Sequence, residues 1–309
     1  MIFQDKIKLN LNLKKVLIIA ISFFIAIQVI ISIVVCEDFL NVESFSGSDR
    51  AKEIVSIPIS KADDISWLKG KSTEVKLDST DKTALEIKNN STSHSYIVIF
   101  HSLTTKPEDT ASYARHFYEL GFNVLIPYYM PETVSMGAEG KSSIYEWVSF
   151  VVKTDEQAIV YIFGMGVGGS SAILATKNDF SESVKGIICD SAYSDVKDVF
   201  KENISKLYGV LPFPTVEFAS AYAKLVHNCG VSQVDVISSA RNSSVPILYI
   251  HGTEDSVVPV GQSNELYEVT RAKGTEHETI HGANHLQGLN TNSEKYWRVV
   301  DEFIRNTID

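Results

Sequence analysis

The residues best suited by type and spacing to chemistry lie in a glycine-rich turn and in a histidine-bearing segment nearer the C-terminus. The turn is Gly164-Met165-Gly166-Val167-Gly168-Gly169-Ser170-Ser171. It follows an apolar run, Ile159 to Phe163, and precedes a helix-forming run, Ala172 to Ala175. Two chemistries use a tight glycine turn at such a junction. One is the dinucleotide fingerprint G-x-G-x-x-G, which Gly164, Gly166 and Gly169 fit literally. Asp190 ends the next apolar run, where that motif places an acid for the ribose hydroxyls. The other is the nucleophile elbow G-x-S-x-G, whose strained apex presents a serine; Gly164 and Gly168 fit its flanks, but the apex residue is Gly166. Further on, His277-Glu278-Thr279-Ile280-His281 spells the zinc-protease pattern H-E-x-x-H. That pattern holds a metal only on a helix, where both imidazoles share a face. The bracketing Gly274 and Gly282 and the β-branched members predict a strand instead. On a strand the imidazoles stand about 13 Å apart, so no metal is expected.

Residues scattered this widely meet only if a parallel sheet brings strand ends to one edge. Ala158 to Asp190 reads as strand, turn, helix, strand, one βαβ unit. Tyr96–Phe100, Asn123–Ile126, Pro246–Ile250 and Glu276–Ile280 read as further strands. Glu74–Leu77 and Thr83–Lys88 alternate as a hairpin. Helices are predicted from Pro107 to the stop at Gly121, with Tyr113, Ala114, Phe117 and Tyr118 on one face, and over Ser143–Val152, Gly261–Ala272 and Ser293–Ile308. The last carries an inner stripe of Tyr296, Trp297, Val300, Phe303 and Ile304. Strands alternating with helices predict the α/β class, with a mostly parallel, doubly wound sheet. Val196–Tyr208 and Val216–Val226, split by Pro212-Phe213-Pro214, interrupt the alternation and predict a helical cap insertion over about 195–242.

Hydrophobic residues make up 44% of the 309-residue chain and charged ones 21%, a mix that can build a globular core. A net charge of -10 argues against nucleic acid as a partner. Cys36, Cys189 and Cys229 are too few and scattered for a disulfide framework, although a Cys189–Cys229 pair stays open outside the cytoplasm. Val16 to Cys36 is almost wholly apolar and long enough to cross a bilayer as a helix. Lys6, Lys8, Lys14 and Lys15 precede it, and Glu37, Asp38 and Glu43 follow. This asymmetry places the N-terminus in the cytoplasm and the body outside, with the membrane itself as a partner. The apolar core is long and lacks a small-x-small cleavage site, which favours an uncleaved anchor. The expected organisation is a cytoplasmic tail (1–15), a transmembrane anchor (16–36), a polar stalk (37–72) and one α/β domain (73–309).

From about Glu74 onward the chain resembles the α/β-hydrolase family, and most of all the bacterial membrane-anchored branch related to serine aminopeptidases and lipase-like esterases. His251-Gly252-Thr253-Glu254-Asp255-Ser256-Val257-Val258-Pro259 is similar to the family's acid loop H-G-x-x-D-x-x-V-P, and Gly282-Ala283-Asn284-His285 to its G-x-x-H loop. The resemblance implies that Asp255 is the acid and His285 the base of a triad whose nucleophile position is Gly166. His101 stands where the family has an H-G pair, which implies an oxyanion hole built from the backbone N–H groups of Leu103 and Val167. Such a set makes physical sense. A serine hydroxyl attacks only when a histidine takes its proton, and the carboxylate fixes that histidine's tautomer. Backbone donors must already point at the developing oxyanion.

Three positions depart from the family. Gly166 replaces the serine, Ser102 replaces the glycine of the H-G pair, and Tyr128-Tyr129-Met130-Pro131 replaces the D-x-R-G-x-G loop. The resemblance with these departures implies a membrane-anchored, serine-hydrolase-like protein for ester or peptide-type substrates, impaired in catalysis. It would hold a small-molecule or peptide-like ligand and require no cofactor. An active hydrolase with a displaced nucleophile is the first alternative; Ser170 shares the apex face but lies about 5–6 Å along the helix. A dinucleotide-binding protein using Gly164, Gly166 and Gly169 is the second. Several strands precede this turn, however, and that reading leaves the Asp255 and His285 loops unexplained.

Overall fold

In the computed structural model, residues 2–40, 59–77, 80–90, 92–102, 105–128, 138–176, 182–227 and 234–308 are described. An eight-stranded sheet runs in the order β1-β2-β4-β3-β5-β6-β7-β8. Its strands are β1 (Thr73–Lys76), β2 (Thr83–Ile87), β3 (Ser95–Phe100), β4 (Asn123–Pro127), β5 (Ile159–Met165), β6 (Val184–Asp190), β7 (Ile247–Gly252) and β8 (Glu276–Ile280). The expected hairpin is β1–β2; β1 pairs with β2 and β2 with β4 antiparallel, and every other pairing is parallel. The central strands are rich in β-branched and aromatic residues because helices cover both faces. On β5, Tyr161 and Phe163 face a cluster shared with Tyr113, Phe117, Tyr296 and Phe303, and the alternating Val160 and Ile162 are equally buried.

Two helices, α3 (Ala111–Glu119) and α11 (Ser293–Thr307), supply that cluster. A third, α5 (Val167–Ala175), follows β5 and packs with α4 (Ala138–Thr154) and α8 (Val236–Arg241). The chain runs from β3 outward to β4, then returns to place β5 on the other side of β3. Connections leaving in opposite directions open a crevice at the strand C-terminal edge, the position where such sheets bind ligands. The register pairs Ile99 with Phe163, Phe163 with Ile188, Cys189 with Tyr249 and His251 with Thr279, so the loops after β3, β5, β6, β7 and β8 share that edge.

The expected polar stalk over 37–72 ends early. Residues 41–58 lie outside the described residues, but Ala62–Lys71 is a helix, α2, that belongs to the sheet domain. Its Leu68 is fully buried, Asp64 accepts from Arg115 Nη1 at 2.9 Å, and Trp67 meets Tyr118 edge-on. Its apolar stripe is too short to stand out from its charges in sequence, and partners far along the chain stabilise it.

Met1–Phe39 and Phe200–Gly230 form a compact unit of their own. Here α1 (Ile2–Leu40) runs unbroken through both the expected tail and the anchor. Leu13–Asp38 is long and apolar enough to cross a membrane, and Ile18, Ile19, Phe23 and Phe24 are exposed. The end of α1 is clasped by α6 (Val196–Tyr208) and α7 (Pro212–Val226). Val35 packs with Ile204 and Val216, and Cys36 Sγ donates to the Ala219 carbonyl. Glu37 accepts from Tyr222 Oη and His227 Nε2, the latter at 2.9 Å. The expected cap over 195–242 is therefore divided. Residues 200–230 join α1, whereas α8 joins the sheet domain, where Thr176 Oγ1 donates to the Ser239 carbonyl.

Candidate active site

Asp255 follows the end of β7 in a tight turn. Its Oδ1 accepts the N–H groups of Val257 and Val258 at 2.9 and 2.8 Å. Its Oδ2 accepts from two imidazoles: His285 Nδ1 at 2.8 Å and His251 Nε2 at 3.2 Å. His251 Nε2 also donates to the Val258 carbonyl at 2.8 Å. Burial alone would push this carboxyl's pKa up, but the charge and hydrogen bonds of His285 and His251 outweigh it and hold Asp255 well below the ordinary carboxylate range. Because Nδ1 of His285 donates to Asp255, Nε2 is left as the basic nitrogen.

The loop carrying His285 is braced on both sides. Asn284 Oδ1 accepts from the His285 and Ser256 N–H groups, at 2.8 and 2.9 Å, and so ties the β8 loop to the β7 loop. From the other side, the Leu286 N–H donates to Ser191 Oγ at 3.3 Å, and Ser191 Oγ donates to Asp190 Oδ1 at 3.0 Å. Tyr296 Oη donates to Asp190 Oδ2 at 2.7 Å. Burial pushes the Asp190 carboxyl up despite these bonds, and it pushes the Tyr296 and Tyr113 hydroxyls well up too. Asp190 is thus a buried brace, with no edge free for a ribose.

Gly166 sits at the apex between β5 and α5 with φ +52° and ψ -115°, and its N–H donates to the Asp190 carbonyl at 2.8 Å. That backbone is strained for any residue with a side chain. A Cβ on Gly168 would overlap the Phe100 carbonyl oxygen, so this glycine lets the helix pack against the end of β3. These contacts account for the glycine pattern as a strand–helix turn rather than a pyrophosphate cradle. A Cβ placed on Gly166 would lie 3.7 Å from His285 Nε2 and 2.6 Å from Ser102 Oγ. Val167 opens α5, so its N–H has no partner within the helix.

The structure therefore brings Asp255, His285, Gly166 and Val167 together. Leu103 lies outside the described residues, as do Tyr129, Met130, Pro131 and Cys229. Ser170 is brought near but is otherwise engaged. It is fully buried, its Oγ donates to the Tyr193 carbonyl at 3.0 Å, and it accepts the Tyr193 N–H at 2.9 Å. That removes it as a displaced nucleophile. His277 lies on β8 with Nε2 3.1 Å from Ser263 Oγ, and His281 follows the end of that strand. Cys189 is a buried thiol directed at the Gly169 carbonyl, and burial pushes its pKa up.

Sequence reasoning missed two neighbours. The second imidazole on Asp255, His251, was visible only as the first letter of a loop motif. The hydroxyl of Ser102 was visible only as a departure from a glycine. Its place beside Gly166 depends on the crossing at β3 and β5.

Residues 144–309 match the family model described as the prolyl oligopeptidase family. A Bacillus subtilis (strain 168) relative, uncharacterized protein YqkD, is 24% identical over 220 residues, spanning 69% of this chain and 72% of its own. Among solved structures, an esterase of Pyrococcus furiosus superposes with a TM-score of 0.62 at 16% identity, covering 77% of this chain and 91% of its own. The acylaminoacyl peptidase of Pyrococcus horikoshii gives 0.56 at 17% identity, over 77% of this chain and 41% of its own. A putative lipase from Acinetobacter baumannii gives 0.55 at 15% identity, over 81% and 98%. All share the α/β-hydrolase fold seen here.

Proposed function

The chain belongs to the prolyl oligopeptidase family, and from that premise we propose a membrane-tethered hydrolase relative that takes an ester- or peptide-type carbonyl compound at the Gly166–His285 crevice and turns it over slowly. One observation carries this reading. The apex faces the base, with the Gly166 Cβ position 3.7 Å from His285 Nε2, but offers it no hydroxyl. On this reading His285 is the base, Asp255 its carboxylate, and the Val167 N–H at the start of α5 the donor for a carbonyl whose oxygen gains charge. Without the apex nucleophile, such sites retain only about 10³–10⁴-fold acceleration over water. Relatives named esterase and acylaminoacyl peptidase support the substrate class. The apolar α1, preceded by lysines and followed by acids, supports an anchor with the N-terminus in the cytoplasm and the catalytic domain outside.

The test is turnover of p-nitrophenyl esters and aminoacyl anilides by the full-length protein in detergent. Rates far below those of a serine-bearing relative, lowered further by His285→Ala, are expected. Turnover within about tenfold of that relative contradicts impairment, and turnover indifferent to His285→Ala contradicts the site.

A further inference from the structure

The apex glycine, which carries no hydroxyl, adjoins a residue that does. We infer that Ser102, on the loop after β3, is the nucleophile of the slow reaction, replacing the missing apex serine from across the crevice. This rests on the reading of the Gly166–His285 crevice as the carbonyl site.

Three observations carry it. First, Ser102 Oγ lies 2.6 Å from the point a Cβ of residue 166 would occupy, and His285 Nε2 lies 3.7 Å from that point. Hydroxyl and base flank one small space. Second, the backbone of Ser102 is fixed. Its N–H donates to Thr105 Oγ1 at 2.9 Å, and its carbonyl accepts from the Thr105 N–H, Thr105 Oγ1 and His101 Nδ1 at 3.2, 3.1 and 2.9 Å. The side chain is thus held toward Gly166, with only χ1 left to vary among staggered wells. Third, Ser102 Oγ and His285 Nε2 make no hydrogen bond among the described residues, whereas Ser170 Oγ is committed to Tyr193. A side chain at 166 would come within 2.6 Å of Ser102 Oγ in its present rotamer, so the two positions share one space unless Ser102 turns about χ1.

The chemistry balances without a co-reactant other than water. Ser102 Oγ gives its proton to His285 Nε2 and bonds to the substrate carbonyl carbon, whose π pair moves to oxygen near the Val167 N–H. The tetrahedral adduct collapses, and the leaving alkoxide or amine takes the proton from His285. Water, deprotonated by His285, then releases the carboxylic acid from Ser102. Because Oγ and Nε2 are not already hydrogen-bonded, attack requires a χ1 change, which accords with slow turnover.

Fluorophosphonate labelling of the full-length protein, with peptide mapping, tests this. The adduct is expected on Ser102. Ser102→Ala should abolish it and lower p-nitrophenyl acetate turnover by roughly 10²-fold, while Ser170→Ala keeps the label. Ser102→Gly, the residue of the family's H-G pair, should behave as Ser102→Ala does and stands in if alanine disturbs the loop. A label elsewhere, no label on the wild type, or turnover that survives both substitutions overturns the inference. The double variant Ser102→Gly/Gly166→Ser separates the two layers. If it labels at position 166 while wild-type turnover ignores Ser102, the inference fails and the site stands. If it folds and does not label, the reading of the site fails.

Discussion

The two halves of the crevice rim differ in how firmly their functional groups are held. The half built from the β7 and β8 loops keeps a fully engaged carboxylate. Asp255 accepts two backbone N–H groups and two imidazoles, and Asn284 and Ser191 hold the His285 loop from either side. The half built from the β3 and β5 loops has the elbow backbone, with its positive φ, and is bare at Gly166 and hydroxylated at Ser102. A hydrogen-bonded carboxylate is difficult to remove because each lost bond leaves a buried group unpaired. A serine at a strained apex is easy to lose because glycine relieves the backbone. Stability thus favours the carboxylate on one side and glycine at the apex on the other.

The sharpest way to break this contrast is at Asp255. Asp255→Ala leaves two backbone donors and the His285 imidazole without their acceptor, while His251 keeps the Val258 carbonyl. It should cost about 3–5 kcal/mol of stability, read by urea denaturation. The same carboxyl sets a pH dependence. Its folded pKa lies below its unfolded value, so its stabilisation is complete above about pH 4 and is lost as pH falls through the lower folded value. Acid titration of wild type against Asp255→Asn should therefore converge at low pH.

On the other half, Gly166→Ser alone should cost about 1–3 kcal/mol through its positive φ. It also crowds Ser102 Oγ, so the double variant with Ser102→Gly should be the more stable of the two by thermal melting. Ser170→Ala removes both bonds to Tyr193 and should cost about 1–2 kcal/mol, with turnover per folded molecule unchanged. The smallest effect is expected at Ser191→Ala, about 0.5–1.5 kcal/mol, with some loss of turnover as the His285 loop loosens.

Much of this frame was legible in the chain. β8 falls on Glu276–Ile280 as expected because glycines bracket a short alternating run. The α11 stripe follows from a strong helical period ending in the core, apart from Trp297, which is only partly buried. What was not legible depends on contacts distant in sequence. Leu68 and Asp64 make α2 a packed helix through partners on the far side of β1–β3. The cap divides because α8 finds α5, while 200–230 finds α1. Ser102 reads as a lost glycine until the crossing at β3 and β5 sets it against Gly166. Composition and periodicity place elements, but they do not report which loop tips touch.

The most direct measurement is the ester turnover of folded Ser102→Gly/Gly166→Ser relative to wild type. If the acid–base half is intact and the elbow lacks only its hydroxyl, kcat should rise by at least about 10²-fold and fall back when His285→Ala is added. A folded double variant no faster than wild type, or one whose gain survives His285→Ala, would contradict the account.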